Sequence, residues 1–171
     1  MSELDQKQFE MLQSAVQQVV DEGRLEEQGI KQPIVHRQRH WGFGMINKLA
    51  ARIPFEVPIV TSMRNTHNYQ WQPICTTACC LAGTAVIMNG DTMVVAVNNN
   101  VDNSQLNDNY TADFCMDAQL QVHAIGERAQ ELMGLSEPEA TYIFDACRSR
   151  ERIVEYATQV AAKHGYTLEV V

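Results

Sequence analysis

The sequence predicts a mainly α, compact single-domain helical bundle with a minor β element (α+β), spanning residues 1–171. Apolar residues recur at three- and four-residue spacing towards both ends of the chain. Gly23, Gly134 and Gly165 stand where those periodic runs break off, and only short stretches have strand character. At 171 residues the chain is long enough for one core that hides roughly 70% of the unfolded surface. Its composition, 45% hydrophobic and 20% charged, is that of a globular domain rather than a disordered segment.

Taken in order, Phe9, Leu12, Val16, Val19 and Val20 form the apolar stripe of an acidic first helix that Gly23 should stop. After a turn at Gln32-Pro33, Ile46, Leu49, Ala50 and Ile53 repeat the spacing, which predicts a second helix over Gly42–Ile53 closed by Pro54. Glu56–Val60 reads as extended, because residues before proline are pushed out of the helical region, and Asn65–Pro73 reads as a loop. A buried helix is expected from Thr76 or Thr77, as N-cap, to Met88, with Asn89-Gly90 as its stop. Thr92–Val97 has the β-branched content of a strand, and the Asn- and Asp-rich stretch 98–109 reads as loop. Val122, Ile125, Ala129 and Leu132 predict a helix over Asp117–Met133 that ends at Gly134. Ser136 and Glu139 then form a capping box for a short helix with Ala140, Ile143, Phe144 and Cys147 inward. Ile153, Ala157, Val160 and Ala161 mark a last helix, Arg150–Lys163, and the alternation of Tyr166, Leu168 and Val170 predicts a terminal strand beside Thr92–Val97.

No apolar run approaches the ~20 residues that span a bilayer. The longest, Cys79–Met88, is interrupted by Gly83 and Thr84. The acidic start, Met1–Asp5, lacks the basic-then-apolar order of a signal peptide, which points to the cytoplasm. Five cysteines, two of them adjacent, fit reduced thiols better than a disulfide framework. The net charge of −8 is segregated along the chain. Residues 1–29 carry seven acids against Lys7 and Arg24, whereas residues 30–90 carry six bases against Glu56 alone. Residues 91–126 then hold five aspartates and no base. Such a pattern either cancels across the folded surface or marks a binding face.

Three of the five cysteines open the segment Cys75-Thr-Thr-Ala-Cys79-Cys80-Leu-Ala-Gly83. A thiol at a helix N-terminus is favoured as thiolate, so Cys75 with His67 or His123 is the minimal constellation of a cysteine hydrolase. Cys79, Cys80 and Cys147 read instead as small buried hydrophobes. For metal, Cys75 and Cys79 with His67 lack the second close ligand pair of structural zinc. The 98–109 stretch lacks the glycine and closing glutamate of an EF-hand loop, so no metal or cofactor is expected. Lys31, Arg37, Arg39, Lys48 and Arg52, interleaved with His36, His40, Trp41 and Phe43, have the makings of a binding face for phosphates and bases or for an acidic protein. The pI near 5.0 disfavours nucleic acid, and so do Glu137, Glu139 and Asp145 on the second helix of a helix-turn-helix-like pair.

The same segment, with Ala129-Gln-Glu-Leu-Met-Gly-Leu135 and Glu139-Ala-x-x-Ile-Phe144 downstream, resembles a group of small uncharacterised bacteriophage and prophage proteins. Their motif reads Cys-Gly-Thr-Ala-x-Cys-x-Ala-Gly-Trp-Ala, and here Thr76 replaces the glycine and Thr84 the tryptophan. The resemblance implies a phage or prophage origin and life in the host cytoplasm, and it brings no mechanism. From these readings the expectation is a non-catalytic protein that binds a host macromolecule, above all a protein, through Arg37, Arg39, His40, Trp41, Lys48 and Arg52. The alternatives are a Cys75 hydrolase and a nucleic-acid-binding protein using residues 31–52.

Overall fold

The computed structural model describes residues 4–30, 35–36, 42–47, 52–54, 69–98, 100–102, 109–145 and 149–171. Within them the chain is a mixed α+β fold rather than a helical bundle: helices pack on one face of an extensive, almost wholly antiparallel sheet.

The first helix, α1 (Gln6–Glu27), is opened by a capping box in which Asp5 accepts the Gln8 amide hydrogen at 2.8 Å and Gln8 returns the favour to the Asp5 amide at 3.1 Å. Of its predicted stripe Phe9, Leu12, Val16 and Val19 are buried, the last three fully so, and Val20 is half-buried. Gly23 does not stop it. The missing side chain there makes room for the Arg150 side chain, whose Cδ would lie 3.1 Å from a Cβ, and the stop is Gly29 at φ +71°.

The region expected to hold a second helix holds strands. β1 (Val35–His36), β2 (Gly42–Ile46) and β3 (Ile53–Pro54) all pair with β4 (Tyr69–Cys79), which also replaces most of the expected loop before Pro73. The apolar spacing of Ile46 and Ile53 was compatible with a helix, but Gly42 and Gly44 weaken one. The close approach of Gly42 to Met93 is available only to a glycine. Thr76 and Thr77 do not cap a helix either. They continue β4, where Thr77 is the extra residue of a bulge between the Phe43–Ala78 and Gly44–Thr76 pairs, and the helix α2 (Leu81–Met88) starts after Cys80. α2 is buried from Leu81 through Val86 and ends, as the sequence predicts, at Asn89-Gly90 with Gly90 at φ +90°.

β5 (Thr92–Asn98) forms where expected and pairs with the first half of β4. β6 (Asn109–Ala112) and β7 (Phe114–Met116) follow with only Asp113 between them. β6 pairs with β2 while β7 pairs with β5, so β2, β4, β5 and the bent β6–β7 strand close into a ring. β8 (Val122–Ala124) adds to β7, and the helix predicted over Asp117–Met133 is confined to α3 (Ile125–Leu132). The Asp117 carboxylate explains the difference: it accepts the amide hydrogens of Gln119 and Gln121, each at 2.9 Å, and folds residues 117–121 into a hairpin turn.

α4 (Glu137–Ile143) has the predicted capping box, and α5 (Arg150–Lys163) has the predicted bounds and buried stripe. Residues 166–171 keep their alternation of half-buried and exposed side chains but join no strand. They lie along α1, where the Gln17 side chain clasps Val171 by two hydrogen bonds of 2.9 Å, one to its N–H and one to its carbonyl. The main core lies between the helices and the sheet face that carries Ile74, Met93, Val95 and Val97. Each large side chain fully buried there stabilises the fold by about 1.5–3 kcal/mol. Trp71, Val94 and Met116 form a smaller cluster on the opposite face, with Trp71 and Phe114 5.2 Å apart.

Candidate functional site

The cysteine-rich segment becomes the junction at which β4 hands over to α2. Cys80 is the N-cap residue, and the Thr84 hydroxyl donates to the Cys80 carbonyl at 3.0 Å while lying 3.5 Å from the Cys79 sulfur. Both thiols are buried. Burial pushes Cys79 up to about 12, against the hydrogen bond it shares with Thr84, and pushes Cys80 up to about 11, against the amides of Gly83 and Ala82. The buried Glu22 carboxylate, which accepts from Gln18 at 3.0 Å, adds to the rise at Cys79. These are thiols held protonated at neutral pH, the reverse of what a nucleophile needs.

Cys75, the sequence-predicted nucleophile, lies within β4 opposite Met45 and not at the start of α2, so the helix dipole invoked for it acts six residues further on. His123 is on β8, with β5 and β7 between it and β4, so the structure does not bring it to Cys75. His67 lies outside the described residues. His123 instead pairs with Asp117, Nε2 to Oδ2 at 3.0 Å, and that hydrogen bond holds the Asp117 carboxyl below its usual range.

One polar cluster escaped the sequence reading. Asp91, at the turn between α2 and β5, has its carboxylate buried, accepts from the Arg128 Nε at 2.9 Å and from the Asn89 amide at 2.8 Å, and lies 3.9 Å from the Cys115 sulfur. Burial, then the Asp91 charge, pushes Cys115 up to about 12, with Arg128 acting the other way. Cys115 is also the cross-strand partner of His123. Asp91 approaches this thiol and the Asp117 charge adds to the rise, yet Asp91 is engaged by Arg128, Asp117 by His123, and Cys115 is fully buried. The signal that could have found it is Asn89-Gly90-Asp91, a turn whose two polar side chains need partners once a strand follows at once. Among the described residues, no group of three or more His, Cys, Asp or Glu side chains is placed to hold a metal ion.

Of the predicted binding residues, Arg37, Arg39, His40, Trp41 and Lys48 lie outside the described residues, as does Cys147. Arg52 is described: it donates to the Val101 carbonyl at 2.6 Å and to the Asn98 carbonyl at 3.4 Å, tying the chain before β3 to the end of β5. The residues that flank Arg37–Trp41 are also fixed. His36 and Gly42 both pair with Cys79, one on each edge of β4. Both ends of that basic and aromatic segment are thus anchored at the β4–α2 junction. No helix of the described residues is long and apolar enough to cross a membrane. No protein-family model, curated protein or solved structure matches this chain.

Proposed function

We propose that this chain acts by binding another macromolecule, a protein of the host in the phage or prophage setting its sequence resembles, and that Arg37, Arg39, His40, Trp41, Lys48 and Arg52 belong to the binding face. The observation that carries the reading is the pairing of both His36 and Gly42 with Cys79. A segment with two arginines, a histidine and a tryptophan in five residues is held at both ends by paired strands, which is how rigid scaffolds present binding residues. Arginine and tryptophan are also the types on which interface energy concentrates. Catalysis is the weaker reading because Cys79, Cys80 and Cys115 are buried with raised pKa values and the helix start offered to Cys75 belongs to Cys80. The test is affinity purification of the tagged chain from its host beside a variant carrying Arg37→Glu and Arg39→Glu. A partner protein retained by the first and lost by the second, with unchanged thermal melting, is the expected result. Equal capture by both would overturn it. Salt-reversible retention on heparin would favour nucleic acid, and selective rapid alkylation of Cys75 at neutral pH would favour the hydrolase.

A further inference from the structure

Asn89-Gly90 is the one Asn-Gly pair in the sequence, and both residues serve the fold. Gly90, at φ +90°, supplies the left-handed residue that ends α2, and Asn89 is the helix C-cap at φ −72° and ψ −10°. The same pair is prone to deamidation, because a glycine has no Cβ to shield its nitrogen from the asparagine side-chain carbonyl. In that reaction the Gly90 nitrogen gives up its proton to water and bonds to Cγ of Asn89, the Cγ–Nδ2 bond breaks, and ammonia leaves. Water then opens the succinimide ring at one of its two carbonyls, which leaves aspartate or isoaspartate at position 89.

The native turn holds each participant out of reach. At ψ −10° the Gly90 nitrogen is rotated away from the Asn89 side chain, so the ring cannot close. The Gly90 N–H donates to the Ile87 carbonyl at 2.9 Å, and the Asp91 N–H to the Val86 carbonyl at 3.0 Å. The Asn89 side-chain amide donates to Oδ1 of Asp91 at 2.8 Å, while Oδ2 of the same buried carboxylate accepts from Arg128 at 2.9 Å. Asn89 and Gly90 are themselves exposed, so water is at hand and geometry is the guard. A converted chain cannot rebuild this turn. Aspartate replaces the donor to Asp91 by a second carboxylate, facing a side chain only 2% exposed. Isoaspartate adds a methylene to the main chain and throws Gly90 and Asp91 out of register with Ile87 and Val86.

We propose that Asn89 is a self-modification site guarded by the fold: each opening of the turn between α2 and β5 exposes it to deamidation, and the converted chain closes less well. The site thereby marks chains according to the time they have spent open. It stands whether or not the basic stretch 31–52 binds a partner. The test incubates the full chain at pH 8, folded and in urea above its unfolding transition. Conversion at residue 89 is followed by peptide mass spectrometry, beside hydrogen exchange at the Gly90 amide. Conversion at least tenfold slower in the folded chain is expected. In rising urea below the transition, conversion and Gly90 exchange should accelerate by the same factor, since both require the Gly90 N–H to leave Ile87. Asp91→Ala removes the acceptor of the Asn89 amide and should speed conversion at least threefold in a chain that still melts cooperatively. Should that variant fail to fold, the paired urea dependence decides the matter. Asn89→Asp, which reproduces one of the two products, should unfold at lower urea than the parent. Equal rates in folded and unfolded chain, or conversion that does not track Gly90 exchange, would overturn the proposal. So would an unchanged rate in folded Asp91→Ala, or an Asn89→Asp variant as stable as the parent.

Discussion

Gly42→Ala should cost far more than a methyl group on a strand ordinarily does. A Cβ at position 42 would stand 1.9 Å from the Met93 sulfur and 2.9 Å from its Cε, against the 3.5–4.0 Å of an ordinary contact. Met93 is 2% exposed, so its thioether has to move by roughly 1.5–2 Å inside packed core. Methionine adapts better than other core residues, which sets the cost at the overpacking range of about 1–3 kcal/mol rather than above it. Met93→Ala alone should lose about 2–5 kcal/mol through the cavity it opens. In the double variant the new methyl enters space the thioether has vacated, so the loss should fall short of the sum by about 1 kcal/mol or more, within the range seen for residues in contact. Urea unfolding of the four proteins measures this, and for a chain of this size each kcal/mol also moves the melting temperature by about 2–4 °C. Additive losses, or a neutral Gly42→Ala, would refute the packing of β2 against β5 across the ring.

Other expectations follow from the polar contacts. Burial alone would raise the Glu139 carboxyl, but Lys163 at 2.6 Å and the hydroxyl and amide of Ser136 at 2.6 and 2.8 Å hold it at about 2. Its contribution is therefore complete above the ordinary value of 4.5 and lost as pH falls towards 2. Glu139→Gln should flatten the acid side of the stability curve by about 2–3 kcal/mol, the range allowing for solvent at the half-exposed Lys163. Arg128→Met strands the buried Asp91 carboxylate and should cost about 3–5 kcal/mol in chemical denaturation. Cys79, Cys80 and Cys115 should resist iodoacetamide at pH 7 in the folded chain and react on unfolding; rapid labelling of the folded protein would contradict their burial. Cys80→Ser should destabilise by about 1–3 kcal/mol, since it places a hydroxyl in the core.

The helices at the two ends of the chain were legible because each carries its own signals. α4 and α5 have a serine cap, an apolar stripe and a glycine or aromatic end within one short window. What was not legible depends on partners distant in sequence. Nothing near Gly42 announces that Met93 will fill the space above it, and nothing near Thr76 announces that β1 and β2 will take the two edges of β4. At Asp117 the competing signal was present. The helical spacing of Val122 to Leu132 competes there with the capacity of an aspartate to fold the next four residues onto its own carboxylate, and the aspartate wins. The predicted terminal strand fails for another reason: alternation records a half-buried extended segment, and a helix can cover its inner side as well as a sheet can. At residues 75–83 the reading of Cys79 and Cys80 as small buried hydrophobes agrees with their burial, whereas the helix start offered to Cys75 lies at Cys80, because nothing local announces that the strand runs on to Cys79.

The segregated charge can now be weighed between its two readings. The basic stretch and the aspartate-rich stretch that follows it become neighbours in the sheet: β2 lies between β4 and β6, and Arg52 reaches the end of β5. That adjacency favours mutual compensation. Arg52 donates to two backbone carbonyls, and the buried Asp91 takes a cation from Arg128 in the C-terminal third. Asp113 is exposed and Asp117 is engaged by His123 and two amides. With Lys31, Arg37, Arg39, Lys48 and Arg64 outside the described residues, the alternative is a basic face beside an otherwise acidic body, which would be suited to steering an acidic partner. The two readings differ in their response to salt. If compensation governs, raising ionic strength should lower the stability of the free chain, and Arg37→Glu with Arg39→Glu should destabilise it. If the face is for a partner, stability should be flat or rise with salt while partner capture weakens steeply.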